Sequence, residues 1–367
     1  MSSIDKGRIT SARLLFTIVC FIQASSLLTS FMTPITKQDS WIAIFICILV
    51  YVPFLFIYRA LIIRFPGLNL LQVFEEVFGK VVGKIIGLLF VWFFFTLAAL
   101  NLSDLGNFAR EALMEETPNT ILAGVCIFVS GMAVRRGIRA VAWYSALYMT
   151  VSFILITVSI LLLLNRFRFD NFLPMFDQPF PKYVQGVHII ATIPFGEIVA
   201  FLMVTPNVDF TKRGVTKSLF LGFLLGALTM VAVVVRDTAV LGNTMHLFAL
   251  PSLVALRMVQ LGEALTRMEI LFAIVLIMLL FVKITFLLYV SVLSLTQLTG
   301  ARSYKHLTFI CAALLVVYGK TLYTDQLQHA LSGQQITPVA WTFFEFLIPL
   351  ITLLVALLRK RTAMKEA

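Results

Sequence analysis

The chain has 367 residues, of which 60% are hydrophobic and 13% are charged, and its formal net charge is +11. Soluble domains are about 45–50% apolar and roughly 25% charged, so this composition excludes a soluble domain and requires apolar surface that faces lipid. The positive charge does not indicate nucleic-acid binding, because the basic residues lie in short loops between apolar segments. The four cysteines lie inside those segments without metal-site spacing. We expect no metal and no cofactor.

Ten apolar segments follow one another along the chain, each near the length of about 20 residues that a helix needs to cross a bilayer. They lie at approximately 12–34, 40–63, 85–114, 119–135, 140–164, 184–207, 215–240, 267–299, 306–323 and 336–358. The fourth is short for a span, and the eighth is long enough to tilt. The sequence therefore predicts an all-α integral membrane protein with ten transmembrane helices in one transmembrane domain, residues 1–367.

The loops differ in charge from one side of the predicted bundle to the other. Most lysines and arginines fall on the side that carries both termini, as Arg135, Arg136 and Arg139 do after the fourth segment. Short cytoplasmic loops are enriched in Lys and Arg. We therefore expect both termini in the cytoplasm.

Two of the connections are themselves amphipathic. Residues 68–84 follow the second span on the cytoplasmic side, and residues 247–265 follow the seventh span on the opposite side. Both patterns predict helices that lie at the membrane interface. The recurrence five spans later, with the side reversed, predicts an inverted repeat. Repeat one covers about 12–164, and repeat two covers about 184–358.

The sixth span contains a sequence that interrupts a helix. Proline removes a backbone donor, glycine loosens the backbone, and a carboxylate follows at once in Pro194, Phe195, Gly196 and Glu197. A helix broken at mid-membrane frees backbone groups to hold a solute. The inverted repeat predicts a matching break in the first span, at the small and polar residues Gln23, Ala24, Ser25 and Ser26. Such residues also suit close helix packing.

Few polar side chains lie deep in the apolar spans. They are Asn101 and Asp104 in span three, Glu197 in span six, Lys283 in span eight and Glu345 in span ten. Ionisable groups at this depth usually face a cavity or one another. Lys283 is either a fixed positive charge beside a binding site or half of a structural ion pair with Glu197 or Glu345. No motif of a soluble enzyme is present, and we expect no enzymatic activity.

Three features together resemble one known family. They are the ten spans, the interface segment LLQVFEEVFG at 70–79 and the break PFGE at 194–197. These resemble the B subunits of spore germination receptors, permease-like proteins of endospore-forming bacteria, over nearly the whole chain. The resemblance implies membership of the amino acid–polyamine–organocation superfamily and a LeuT-like fold with helices one and six broken. It also implies a place in the inner spore membrane and A-type and C-type receptor subunits as partners.

The resemblance implies that the protein senses a nutrient germinant, a small amino acid or similar solute, between spans one, three, six, eight and ten. The candidate ligand-binding residues are Gln23, Ala24, Ser25, Ser26, Asn101, Pro194, Phe195, Gly196, Glu197, Thr285 and Tyr289. The candidate coupling or structural charges are Lys283, Glu197 and Glu345. Two other functions stay open: a proton-coupled amino-acid transporter, and a passive pore for water or ions.

Overall fold

The computed structural model describes residues 7–209, 212–259 and 268–365. Every predicted span overlaps a helix, although the bounds of the sixth and tenth differ most from the prediction. In chain order these helices are α1 Ser11–Ala24, α2 Ser40–Arg64, α3 Lys80–Ala112, α4 Asn119–Arg135, α5 Ser145–Leu163, α6 Phe180–Ile190, α7 Lys212–Leu241, α8 Met268–Thr299, α9 Tyr304–Thr321 and α10 Ile348–Lys365.

Not all of these helices are long enough to cross a membrane alone. Within the described residues, eight helical segments have the necessary length and composition, or nine if α9 and the helix Gln326–Gln335, which meet at 90°, form one bent span. α4 has only 17 residues. Large apolar side chains stand exposed on the outside of the bundle, as Leu49 and Val81 do, and lipid is the environment that suits them. The all-α membrane architecture is confirmed, and the number of ten spans stays a prediction.

Short elements join the long helices. Two-residue strands, β1 (Ile9–Thr10) and β2 (Val208–Asp209), pair in parallel and tie the start of α1 to the end of the sixth span. Helices lie where amphipathic segments were predicted, at Leu70–Phe78 after α2 and at Pro251–Arg257 after α7. Residues 260–265 of the second predicted segment lie outside the described residues. The other short α-helices are Thr33–Thr36, Ile138–Trp143, Gln326–Gln335 and Thr337–Thr342.

Two glycines bring α7 against α1. Gly222 and Gly226 are spaced as in a GxxxG motif, in which small residues let two membrane helices approach closely. A Cβ atom at Gly226 would lie 2.8 Å from Cβ of Ile22, and one at Gly222 would lie 3.2 Å from Cβ of Ile18. α1 also packs along α8, and α8 packs along α3. The first span therefore lies in the middle of the bundle, between helices of both predicted repeats.

Both predicted breaks are departures from α-helix. Span six (Phe180–Met203) changes from α-helix to a π-helical turn at Ala191–Phe195 and then to a 3₁₀ segment at Gly196–Met203. Ile193 has non-helical dihedral angles, φ −117° and ψ 96°, as a residue before proline often does. Span one (Ser11–Phe31) changes from α-helix to a 3₁₀ segment at Ser25–Phe31. The sharp interruption lies in span six, and span one is rewound rather than cut.

Candidate ligand-binding site at the helix breaks

The break in span six places a carboxylate in the interior of the bundle. Glu197 is the second residue of the 3₁₀ segment, and it is only 2% exposed. Its Oε2 atom lies 2.5 Å from Nζ of Lys283 on α8, which is fully buried. A buried charge at this depth needs a partner of opposite sign, and each of these two side chains supplies the other's.

The ammonium group of Lys283 also reaches the point where span one changes its winding. Nζ donates a hydrogen bond of 2.5 Å to Oγ of Ser25, and it lies 4.8 Å from the ring centroid of Phe21. The face of an aromatic ring attracts a cation. Lys283 thus links spans one, six and eight at both helix breaks.

A second carboxyl group approaches the break from span ten (Thr337–Arg359). Glu345 lies in a π-helical turn, Phe343–Leu347, and is completely buried. Within the described residues neither of its carboxyl oxygens has a hydrogen-bond partner. Its carboxyl group rests against Gly196, where an added Cβ would overlap it. Tyr58 of α2 donates a 2.6 Å hydrogen bond to the backbone carbonyl of Glu345. The centre therefore contains one ammonium group and two carboxyl groups.

A cavity of about 300 Å³ opens beside Glu197, on the side away from the termini. Spans one, three, six and ten line it, together with the helix Gln326–Gln335. Its polar lining residues are Asn101, Asp104, Glu197, His329 and Thr337, and its aromatic ones are Phe31 and Trp341. The side-chain oxygen of Asn101 is buried without a partner in the described part of the chain. Acceptor groups therefore dominate this cavity, and they suit a ligand that brings hydrogen-bond donors.

A histidine and an aspartate meet at one wall of this cavity. Nδ1 of His329 lies 3.3 Å from Oδ1 of Asp104. The ring of His329 also stacks against Tyr323 and contacts the edge of Phe31, at centroid distances of 4.8 and 5.3 Å. Phe31 ends the 3₁₀ segment of span one. The pair therefore couples the end of span one to span three.

Three aromatic rings close the bundle on the side of the termini. Phe201 and Phe286 stack with a centroid distance of 4.3 Å, and Phe21 packs edge-on against both. Each ring lies about one turn closer to the termini than the polar residue on its own span. The polar residues are Ser25 on span one, Glu197 on span six and Lys283 on span eight. The structure therefore has a closed barrier on that side, directly behind the Lys283–Glu197 pair.

The structure unites some of the predicted site residues. Ser25, Glu197 and Lys283 are in direct contact, and Gly196 lies against Glu345. Asn101 shares the cavity of Glu197. Pro194 and Ala24 are buried in the walls of the breaks.

Other predicted residues point elsewhere. Thr285 donates a 2.9 Å hydrogen bond to Ser130 on α4, and Tyr289 packs edge-on against Tyr304 of α9. Successive residues of an α-helix are about 100° apart around the helix axis. Thr285 follows Lys283 by two residues, so the two side chains point in nearly opposite directions. Phe195 packs against Tyr51 and Phe223 on α2 and α7. Gln23 and Ser26 line a different cavity on the far side of span one.

His329, Phe31 and Trp341 were missed by the sequence reasoning. Asn101 and Asp104 are three residues apart, which places both on one helix face, and this spacing is a signal in the sequence for their shared environment. His329 has no such signal, because the helix that carries it is polar and lies between two spans. Only the fold brings it to Asp104.

The fold and this site define a multi-pass membrane protein with the architecture of a solute transporter. The structure superposes on that of Mhp1, a nucleobase-cation-symport-1 family transporter in a closed conformation with bromovinylhydantoin bound, with a TM-score of 0.66 and 14% identity. The match covers 94% of this chain and 81% of the transporter. At this identity the likeness concerns the fold alone, and it supports the LeuT-like fold predicted from the sequence.

The sequence comparisons identify the family. The profile of the spore germination protein family (Spore_permease) matches residues 8–326, and the chain belongs to this family. It is 24% identical to spore germination protein KB of Bacillus subtilis (strain 168), over 99% of this chain and 98% of that protein. It is also 24% identical to the putative spore germination protein YfkT of the same organism, over 87% of each. The chain is thus a permease-like germination protein of the membrane, as the resemblance of the sequence indicated.

Proposed function

We propose that this protein is the nutrient-sensing B-type subunit of a spore germination receptor in the inner spore membrane. Its ligand, a small amino acid or a similar solute, binds in the cavity beside Glu197. The observation that carries the proposal is a buried carboxylate at a helix break that faces this cavity and is held by Lys283.

The charges of the cavity suit the ammonium group of an amino acid. Glu197, Asp104 and the free oxygen of Asn101 are acceptors that line one space. An ammonium group that reaches Glu197 competes with Lys283 for the same carboxylate. The ligand therefore changes the contact that joins spans six and eight, and A-type and C-type subunits read the altered packing of these spans. A ligand shifts such an equilibrium only through a difference in affinity for the two states, and this shared carboxylate provides one.

A binding measurement on the purified full-length chain tests the proposal. A panel of amino acids and sugars is titrated while the thermal unfolding midpoint is followed, because a ligand that binds only the folded state raises it. At least one zwitterionic amino acid should raise the midpoint, and Glu197→Gln should abolish the shift. Glu76→Gln, on an exposed residue of the helix Leu70–Phe78, is the matched control and should keep it. Absence of binding by every amino acid contradicts the proposal.

A second candidate function is proton-coupled transport, and Glu345 favours it. Its buried carboxyl group has no hydrogen-bond partner among the described residues, and the nearby Lys283 is already paired with Glu197. Such a carboxyl group readily takes up a proton. Reconstituted vesicles distinguish the two functions. A transporter accumulates labelled amino acid when a proton gradient is imposed, whereas a receptor subunit binds the amino acid without uptake. A passive pore requires the barrier of Phe21, Phe201 and Phe286 to open.

A further inference from the structure

A second cavity lies on the opposite side of span one from Glu197. It is lined by span one, α5, α7 and α8, and its empty space, including the part open to the exterior, is about 380 Å³. Its polar lining residues are Gln23, Ser26, Ser152 and Thr229, and the remainder are apolar, with Phe272 and Leu276 among them. Span one thus separates two cavities: one carries acidic groups, and the other has no ionisable lining residue in the described part of the chain.

The side chain of Gln23 is the distinctive feature of this second cavity. It is only 3% exposed, and within the described residues neither its amide nitrogen nor its amide oxygen has a hydrogen-bond partner. A buried amide left without partners is destabilising, and native structures rarely keep one. The amide lines empty space rather than packed side chains. An occupant that both donates and accepts a hydrogen bond would satisfy it.

The second cavity adjoins a third one that lies further from the centre. The third cavity has a volume of about 290 Å³ and shares Ser26, Phe272 and Leu276 with the second. It is lined further along by Leu250 and by Ser252 of the helix Pro251–Arg257, the interface helix on the side away from the termini. The third cavity therefore extends from the neighbourhood of Gln23 toward that side of the bundle, apart from the Glu197 cavity.

A buried arginine and a buried aspartate near these cavities neutralise each other. Arg236 donates hydrogen bonds of 2.9 and 2.7 Å to Oδ1 of Asp237 and one of 2.8 Å to Ser159. Ser252 donates a hydrogen bond to the other oxygen of Asp237. The guanidinium group lies 5.7 Å from the ring centroid of Phe272. This network fixes Ser252 and Phe272 and offers no free charge to a ligand.

We propose that the Gln23 cavity is a second binding site, for a small uncharged molecule with an apolar body and one carboxamide or hydroxyl group. The amide of Gln23 pairs with the polar group of that molecule, and the apolar lining of α7 and α8 covers its body. Ionic ligands are disfavoured, because none of the described residues that line the second or third cavity carries a charge and an unpaired buried charge is strongly unfavourable. The proposal is independent of what binds beside Glu197.

Three probes of similar size and different charge test the selectivity. Butyramide, butyrate and butylammonium are titrated separately against the full-length chain in lipid nanodiscs while the thermal unfolding midpoint is recorded. Butyramide should raise the midpoint, and the two ions should leave it unchanged. Gln23→Leu should weaken butyramide binding at least tenfold. Asn101→Leu, in the Glu197 cavity, is the matched control and should retain the full butyramide response.

A chemical measurement keeps the test independent of the stability of the variants. In a cysteine-free background, Ser26→Cys at the junction of the two cavities is treated with N-ethylmaleimide. Butyramide should slow the modification several-fold, and butyrate should not. Two results overturn the proposal: butyramide binding that is unchanged in Gln23→Leu, or neither a midpoint shift nor protection, in which case the cavity holds water only.

Discussion

The Nζ atom of Lys283 lies 2.5 Å from Oε2 of Glu197, and both side chains are buried where spans one, six and eight meet. Glu197 lies at the break in span six. Lys283 lies on span eight and reaches Ser25, where span one changes its winding. Each is the counter-ion of the other. Removal of either leaves an uncompensated charge inside the membrane protein.

This relationship predicts the outcome of a double-mutant cycle. Lys283→Met and Glu197→Gln should each lower the free energy of unfolding by about 3–5 kcal/mol, because each leaves one buried charge unpaired. The double variant should be more stable than either single variant. Thermal unfolding of the purified proteins measures this, with Lys305→Met, an exposed lysine, as the control. Additive losses in the double variant would show that the two side chains do not stabilise each other.

A side chain at Gly196 should displace the buried carboxyl group of Glu345. A Cβ at this position overlaps the carboxyl group of Glu345, so Gly196→Ala should lower the unfolding temperature and weaken ligand binding. Gly124→Ala is the matched control, because an added Cβ at Gly124 has no atom within 4 Å. Shortening the opposing side chain with Glu345→Asp should restore part of the loss in the double variant. An unaffected Gly196→Ala protein would mean that the contact with Glu345 is not close.

Asn101 and Thr285 should differ in their effect on ligand binding. Asn101 lines the Glu197 cavity with an unpartnered oxygen, so Asn101→Leu should weaken amino-acid binding about tenfold, the equivalent of about 1.4 kcal/mol. Thr285 instead bonds to Ser130, so Thr285→Val should cost about 0.6 kcal/mol of stability and leave the affinity unchanged. Titration of the panel of amino acids against both variants measures the affinities. A weaker affinity in Thr285→Val alone would move the site toward α4.

Both termini should lie in the cytoplasm. Asp170, between α5 and α6, and Arg302, between α8 and α9, are exposed at opposite ends of the bundle. In a cysteine-free background, a membrane-impermeant thiol reagent applied to intact cells should label Asp170→Cys and should label Arg302→Cys only after lysis. Labelling of Arg302→Cys in intact cells would reverse the orientation that the basic loops predict.

The membrane class, the positions of the spans and the break at Pro194–Glu197 were all readable from the sequence. Each of these properties depends on residues that are close together in the chain. An apolar run of the right length needs lipid wherever it lies, and proline interrupts a helix whatever packs against it. The partner of Lys283 was narrowed to Glu197 or Glu345 because so few ionisable residues lie deep in the spans.

The tertiary structure decided which of these residues share a space. Packing of α7 against span one turns Gln23 and Ser26 toward one cavity, while Ser25, the adjacent residue, turns toward Lys283. The direction of each side chain follows from the rotation of its helix about its own axis, and a helix that is apolar on all sides carries no pattern that reveals this rotation. His329 reaches Asp104 for a similar reason, since only the bend between α9 and the helix Gln326–Gln335 returns it to the bundle. The sequence by itself therefore determined that this is a permease-like membrane protein with a broken sixth span. The rotation of each packed helix about its axis determined how the polar residues divide between two cavities.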